Sequence, residues 1–314
     1  METLIRYEQG IHAVDGNYIR PRLAAIHLIV ENGRVAFVDT GSNDSLPSAL
    51  SALESLGLAP ESVDYVMLTH IHLDHAGGAG AMMRAFPNAR VVVHPRGARH
   101  MADPARLVAG AMAVYGQAQA RKLYGEVLPI AAERIIEATH ESTIELAGRE
   151  LLCLDTPGHA RHHICIVDRQ SGHIFMGDTF GLSYRELDAD GRQFVFPTTT
   201  PVQFDPVALH ASLDLLMTYQ PEAVYVTHYS QLKDVAAKAV ELHRLIDSHL
   251  GIARREKDSG PDRHSRIRAG LAHLLLDEIK SFGCQSPPAE VLEVFAPDLE
   301  LNAQGLGVWL DMQR

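Results

Sequence analysis

The hexapeptide His70-Ile71-His72-Leu73-Asp74-His75 concentrates three imidazoles and a carboxylate in one short stretch of chain. Neutral imidazole nitrogen and carboxylate oxygen are the ligands preferred by borderline divalent cations such as Zn²⁺. Random placement would produce such a cluster only on the order of a few times in a thousand chains of this size. In extended backbone, His70 and His72 project to the same side and can reach one ion. Asp74 and His75 fall at the turn into a helix softened by Gly77-Gly78, where they can face a second ion.

Such side chains must be held rigidly, and the flanking sequence supplies the means. Residues 63–69 are β-branched and apolar, which predicts a buried strand running into the cluster. Upstream, strand-like segments at 4–8, 11–14, 23–30 and 35–39 are punctuated by turn signals at Asp15-Gly16-Asn17 and Asn32-Gly33, as in an antiparallel meander. Helical rhythm covers 45–56 and 74–86, a strand follows at 91–93, and 98–125 reads as mostly helical with weak points at Gly110, Gly116 and Gly125. A second set comprises strands at 142–146, 150–155, 163–168, 173–176 and 223–227, with helices at 206–219 and from Leu232 to about Leu250. Two successive sets predict two sheets packed face to face with helices outside. The polar stretch 254–265 reads as a linker. Beyond it, Leu271, Leu274, Leu275 and Ile279 form a helical stripe that either packs on the core or makes a homodimer face.

Further short motifs follow the same order as in a known family. Val38-Asp39-Thr40-Gly41 precedes the cluster; Asp155-Thr156-Pro157-Gly158-His159, Gly177-Asp178-Thr179 and Thr227-His228 come after it. Over residues 4–250 the chain resembles the metallo-β-lactamase superfamily, in a glyoxalase II-like subgroup. The resemblance implies an α/β, four-layer αββα sandwich, expected over residues 1–253, with the linker read at 254–265 and a helical C-terminal extension at 266–314. It implies a first metal site of His70, His72 and His159, a second of Asp74, His75 and His228, and Asp178 bridging both, with Asp39 supporting the metal loop from behind. His163 falls where relatives carry a structural or supporting histidine, and His162 is expected to be exposed. Thr227-His228-Tyr229-Ser230 departs from the usual Gly-His, leaving Tyr229 either to line the cleft or to pack.

The implied activity is that of a dinuclear metal-dependent hydrolase. A metal-bridging hydroxide would attack an ester, thioester or lactone carbonyl of a small molecule, with Asp178 fixing the bridge and Asp74 handling the proton. Two divalent ions are implied, Zn first, with Fe or Mn as the other choices. Gly181 stands where acyl-homoserine lactonases often place Tyr, which counts against that substrate. An iron-binding, oxygen-reactive member is the leading alternative, although His72 stands where diiron relatives usually carry Glu; a metal-dependent nuclease is the other. Residues 179–206, with Phe180, Tyr184, Phe194 and Phe196, are expected to form cleft wall, against a plain hairpin near 188–191. The C-terminal helices resemble those that cover the site in a thioesterase-like member.

Composition narrows the partners. The 314 residues are 46% hydrophobic and 21% charged, ordinary for a folded globular chain. A formal charge of −11, with no long Lys/Arg run, repels nucleic acid and favours a small-molecule substrate. The first residues, Met1 to Arg6, show neither a basic nor an apolar signal region. The longest apolar run, 23–30, is too short for a bilayer, and Cys153, Cys165 and Cys284 form no paired motif, so a cytoplasmic protein without a membrane partner is expected. With 18 histidines in the chain, isolated ones carry little weight. His12, His27, His94, His100, His140, His173, His210, His243, His249, His264 and His273 are read as surface or satisfied core residues.

Overall fold

A computed structural model of the chain describes residues 4–313; residues 1–3 and 314, the outer ends of the expected domains, lie outside the described residues. The first sheet contains β1 (Ile5–Arg6), β2 (Ile11–Asp15), β3 (Ala25–Glu31), β4 (Arg34–Val38), β5 (Val63–Met67), β6 (Arg90–Val93) and β7 (Ile135–Glu137) in sequential order. Strands β1 to β4 pair antiparallel and β4 to β7 parallel. The second sheet contains β8 (Ser142–Leu146), β9 (Arg149–Asp155), β10 (Ile164–Asp168), β11 (His173–Gly177), β12 (Val224–Val226) and β13 (Ser230–Leu232), antiparallel except for the β11–β12 pair.

Period-two alternation builds the layers. In β4, Val35 and Phe37 face one core with Ala49, Leu53 and Met82, from helices α1 (Leu46–Ser55) and α3 (Ala79–Ala85). Ala36 and Val38 face the other way and share a core with Cys153, Ile164 and Phe175 of the second sheet. In β10, Ile164 and Ile166 join that intersheet core, whereas Cys165 and Val167 face the outer helices. The result is the expected αββα sandwich.

Between β5 and β6, α2 (Leu73–Ala76) precedes α3; the single helix expected at 74–86 is therefore split. At the break a Cβ on Gly78 would lie 2.5 Å from the carbonyl oxygen of Ser42, so only glycine allows this packing. Helices α4 (Pro95–Ala102), α5 (Ala105–Tyr115) and α6 (Gln117–Tyr124) fill the predicted helical stretch, with Gly116 at φ +78° separating the last two.

After α7 (Pro206–Met217), the helix expected from Leu232 instead begins at Val235 as α8 (Val235–Arg255). Residues Ser230–Leu232 pair with Val224–Val226, and Asp234 at φ +54° turns the chain before the helix starts. Of the polar stretch read as a linker, Arg254 and Arg255 close α8, and Gly260–Asp262 is a 3-10 turn leading into α9 (Arg263–Phe282). Leu271, Leu275 and Ile279 of α9, with Val291 of α10 (Pro288–Val294) and Leu299 of α11 (Ala296–Met312), belong to the same core as Leu242 of α8 and Val224 of β12. The apolar stripe thus packs on the core. No helix among the described residues is long and apolar enough to cross a membrane.

One buried ion pair fastens the base of the second sheet. Arg149, at 1% exposure, directs Nε to Asp168 Oδ1 at 2.9 Å and Nη1 to the Gln9 carbonyl at 2.7 Å. Arg149→Met leaves Asp168 as an unpaired buried charge and is expected to lower stability by about 3–5 kcal/mol in urea unfolding. The double variant Arg149→Met, Asp168→Leu should recover most of that loss.

Candidate metal centre

The loops that carry the candidate ligands all leave the C-terminal ends of strands on one edge of the sandwich. His70, His72, Asp74 and His75 follow β5, His159 follows β9, Asp178 follows β11 and His228 follows β12. Two glycines permit the close approach this demands. A Cβ on Gly177 would stand 2.6 Å from Thr69 Oγ1 and 2.7 Å from His163 Nε2, and one on Gly158 would stand 2.3 Å from Leu209 Cα.

The ligand atoms converge in three groups whose members lie within 4.8 Å of one another: His70, His72 and His159; His70, His75 and Asp178; Asp74, His75 and His228. In the first group His72 Nδ1 lies 2.9 Å from His70 Nε2 and 3.1 Å from His159 Nε2. In the third, His228 Nε2 and His75 Nε2 lie 3.4 and 3.6 Å from Asp74 Oδ2. Asp178 reaches both sides, with Oδ2 3.4 Å from His159 Nε2 and Oδ1 3.4 and 3.7 Å from the Nε2 atoms of His75 and His228. For metal–nitrogen bonds of about 2.0–2.1 Å, a tetrahedral shell has edges of roughly 3.3 Å. The observed separations match that scale.

The far side of each ring explains why these nitrogens point inward. The Nδ1 atoms of His70, His75, His159 and His228 lie near Thr69 Oγ1 (3.2 Å), Asp39 Oδ2 (2.8 Å), Thr198 Oγ1 (2.8 Å) and the Leu23 carbonyl (2.8 Å). Each partner can accept the Nδ1–H proton, leaving the Nε2 lone pair for a ligand bond. Asp39, fully buried, also accepts from the Thr69 amide at 2.8 Å and from the Thr227 hydroxyl at 2.7 Å. His163 is buried too, and its Nε2 accepts from the Asp178 amide at 3.2 Å.

Two atoms inside the cluster, His75 Nε2 and Asp178 Oδ1, are buried without any hydrogen-bond partner. Such atoms are costly unless something binds them, and a cation between an imidazole and a carboxylate does so. Donor types, spacing and orphaned atoms thus all fit a divalent metal.

The electrostatics divide the cluster in two. Burial and neighbouring imidazoles push His70 well below the ordinary imidazole range, and burial, then His159, lowers His72 to about 3. His159 falls to about 4, again mainly through burial. These three are neutral and ready to ligate. Around Asp74, His75 and His228 burial opposes charge, but the Asp178, Asp74 and Asp39 carboxylates outweigh it and hold His75 well above the usual range. His228 rises to about 9 because Asp178 and the Asp74 hydrogen bond overcome burial. Protons therefore stand where a cation would sit, and metal uptake must displace them. Zn²⁺ titrated into chelator-stripped protein at pH 7 is expected to release about two protons, with apparent affinity falling as pH drops below 9. Calorimetry in buffers of different ionisation enthalpy reads the count; buffer-independent heats would contradict it.

Sequence reasoning missed Thr198 and the Leu23 carbonyl as partners of His159 and His228. His162, expected at the surface, is 8% exposed, its ring 5.7 Å from that of His72. The turn after Pro157-Gly158 folds it under the metal loop, and burial lowers it to about 3. Tyr229 is buried. The aromatics expected to form cleft wall mostly serve the C-terminal helices instead: Phe295 packs against Tyr184 and Phe196 at ring distances of 5.1 and 5.7 Å, and Phe282 against Phe194 at 5.4 Å. Strand-like bridges join Leu182 to Phe196 and Ala189 to Arg192, so the segment is also the hairpin that its turn residues suggest.

An αββα sandwich with a histidine–aspartate cluster at one edge that could hold a metal is the arrangement of a metallo-hydrolase fold. The chain belongs to the metallo-beta-lactamase superfamily, whose pattern it matches over residues 19–228. It is 25% identical over 231 residues to a metallo-beta-lactamase fold-containing protein of Sulfurisphaera tokodaii, covering 70% of this chain and 78% of that one. It is 28% identical over 204 residues to a hydroxyacylglutathione hydrolase of Xanthomonas campestris pv. campestris, covering 65% of this chain and 59% of that enzyme. The crystal structure of a metallo-beta-lactamase family protein from Thermus thermophilus superposes with a TM-score of 0.68 at 21% identity, covering 97% of this chain and 93% of that one.

Proposed function

We propose that this protein is a dinuclear metal-dependent hydrolase that cleaves an ester, thioester or lactone carbonyl of a small molecule in the cytoplasm. The observation that carries the reading is Asp178, whose two carboxylate oxygens face different histidines while Oδ1 lacks any hydrogen bond. His70, His72 and His159 would hold one ion, Asp74, His75 and His228 the other, and Asp178 both. A bound pair of divalent cations, Zn²⁺ first among them, supplies a nucleophilic water at neutral pH and polarises the carbonyl.

The chain's own groups then do the rest. Asp74 keeps 24% side-chain exposure and so can take a proton from the attacking water at its free carboxylate edge. Tyr18, Tyr115 and Tyr124 cluster beside it: the Tyr18 hydroxyl lies 2.9 Å from that of Tyr124, and the Tyr115 and Tyr124 rings are 6.0 Å apart. Burial, then the Asp74 charge, raises the Tyr115 phenol to about 12, so it stays a neutral hydrogen-bond donor. From α11, Asp298 accepts from the Tyr184 hydroxyl at 3.1 Å, and burial raises its carboxyl to about 6. The helical extension thereby contributes to the surroundings of the centre.

The relatives named hydroxyacylglutathione hydrolase support an acyl substrate. The net charge of −11 supports a small molecule over a nucleic acid. The test is a screen of thioesters, lactones, esters and phosphodiesters against protein of measured metal content. Metal-dependent turnover of an acyl substrate is expected; stoichiometric iron with oxygen uptake and no hydrolysis would overturn the reading.

A further inference from the structure

Away from the metal centre, α7 and α8 present the same short pattern to each other: His210 and Asp214 on one, His243 and Asp247 on the other, each pair four residues apart and so on one helix face. The two imidazoles meet through their Nδ1 atoms, 2.6 Å apart. Their planes differ by 5° with centroids 4.9 Å apart, the separation that coplanar rings meeting nitrogen to nitrogen produce. Each outer nitrogen faces a carboxylate on the opposite helix: His210 Nε2 lies 3.4 Å from Asp247 Oδ1, and His243 Nε2 lies 3.3 Å from Asp214 Oδ1.

The two carboxylates, on side chains that are 76% and 73% exposed, bias the protons of the rings. A carboxylate beside Nε2 favours the ring proton there, which leaves a lone pair on Nδ1. With the proton on Nε2 in both rings, two lone pairs face each other across 2.6 Å, an approach that either a shared proton or a metal cation relieves. We infer that His210 and His243 form a further transition-metal site, binding a Zn²⁺-class dication through their Nδ1 atoms while Asp214 and Asp247 orient the rings. Carboxylate, histidine and metal in series is a recurrent support for imidazole ligands. The rings are partly exposed, with 26% and 28% side-chain accessibility, so small rotations can open the nitrogens to the roughly 3.3 Å edge of a tetrahedral shell. His210 and Asp247 also line an open groove with Phe204 and Trp309, which gives an ion and its remaining water ligands a path in.

Equilibrium dialysis of the zinc-loaded protein against Zn²⁺, with metal counted per chain, tests this. Wild type should hold one equivalent more than the His210→Gln, His243→Gln variant, whose hydrolytic turnover stays at the wild-type level. Asp214→Asn with Asp247→Asn should weaken that equivalent by about 10–100-fold. Crystals grown with zinc should show an anomalous peak between the two rings. Equal zinc counts in wild type and the double-glutamine variant would overturn the inference. So would a low-field shared-proton resonance that persists at saturating zinc, since a proton would then be the bridging cation.

Discussion

Asp178→Asn is expected to reduce kcat/KM on an acyl substrate by about 10³-fold, since metal-centred charge stabilisation supplies several kcal/mol to the transition state and each 1.4 kcal/mol is a decade. The substitution keeps the shape of the side chain, and the amide that His163 Nε2 receives from residue 178 is unchanged. What disappears is the second anionic oxygen, so one of the two groups loses its shared ligand. Bound metal should fall from two equivalents towards one. In the metal-free state, burial opposes ionisation of Asp178, but His75, His228 and His159 outweigh it and hold its carboxyl well below the usual range. With Asn in place, His75 and His228 lose that partner, and their pKa values should fall towards the ordinary imidazole range. A variant retaining two metals and activity within tenfold of wild type would remove Asp178 from the bridging role.

Much of this centre is legible in the sequence itself, because its chemistry resides in side-chain identity. Three histidines and an aspartate within six residues announce ligands whatever the backbone does. Short continuous apolar runs in β4, β9 and β10 likewise announce strands with two buried faces, and hence two sheets between helix layers. Less legible are features whose determinant lies elsewhere in the chain. The carbonyl of Leu23 has no side-chain signature at all, yet it fixes the His228 tautomer. Thr198 sits in an undistinguished threonine run and becomes a partner of His159 only because the loop after β11 returns over the centre. Ser230–Leu232 lacks apolar alternation because β13 is an edge strand, paired only to β12 among the described strands, so local sequence reads on into the helix. The aromatics at 180–196 read as cleft wall because they follow Asp178; the apolar face of the C-terminal helices takes them instead. His210 and His243 illustrate the converse. Each is unremarkable alone, and only the packing of α7 on α8 brings their nitrogens together.

Asp39→Asn should cause the largest loss of stability among changes near the centre, although Asp39 is not itself a candidate ligand. Its backbone adopts φ +58°, a conformation that Asn tolerates as well as Asp, so the substitution isolates the side chain. Oδ2 faces His75 Nδ1 at 2.8 Å, the Thr227 hydroxyl at 2.7 Å and the Thr69 hydroxyl at 2.9 Å, while Oδ1 faces the Thr69 amide at 2.8 Å. Every one of these partners can donate, and only a carboxylate can accept at both oxygens. An amide must turn its NH₂ towards donors on one side, leaving buried N–H and O–H groups unmatched at about 1–3 kcal/mol each. A total of about 3–5 kcal/mol is expected, as for other broken buried charge networks. For a chain of this size that lowers the melting temperature by roughly 10 °C. The same change removes the acceptor that holds the proton on His75 Nδ1, so His75 Nε2 is no longer presented as a ligand. Affinity for the second ion should drop by about 10–100-fold, with the first group of His70, His72 and His159 retaining its metal. Thr227→Val provides the comparison: it deletes one donor from the network and leaves the carboxylate, and should cost only about 1 kcal/mol with little change in metal binding. If Asp39→Asn behaved like Thr227→Val in both measurements, the support of the metal loop would have to come from the sheet packing beneath it, with the carboxylate a bystander.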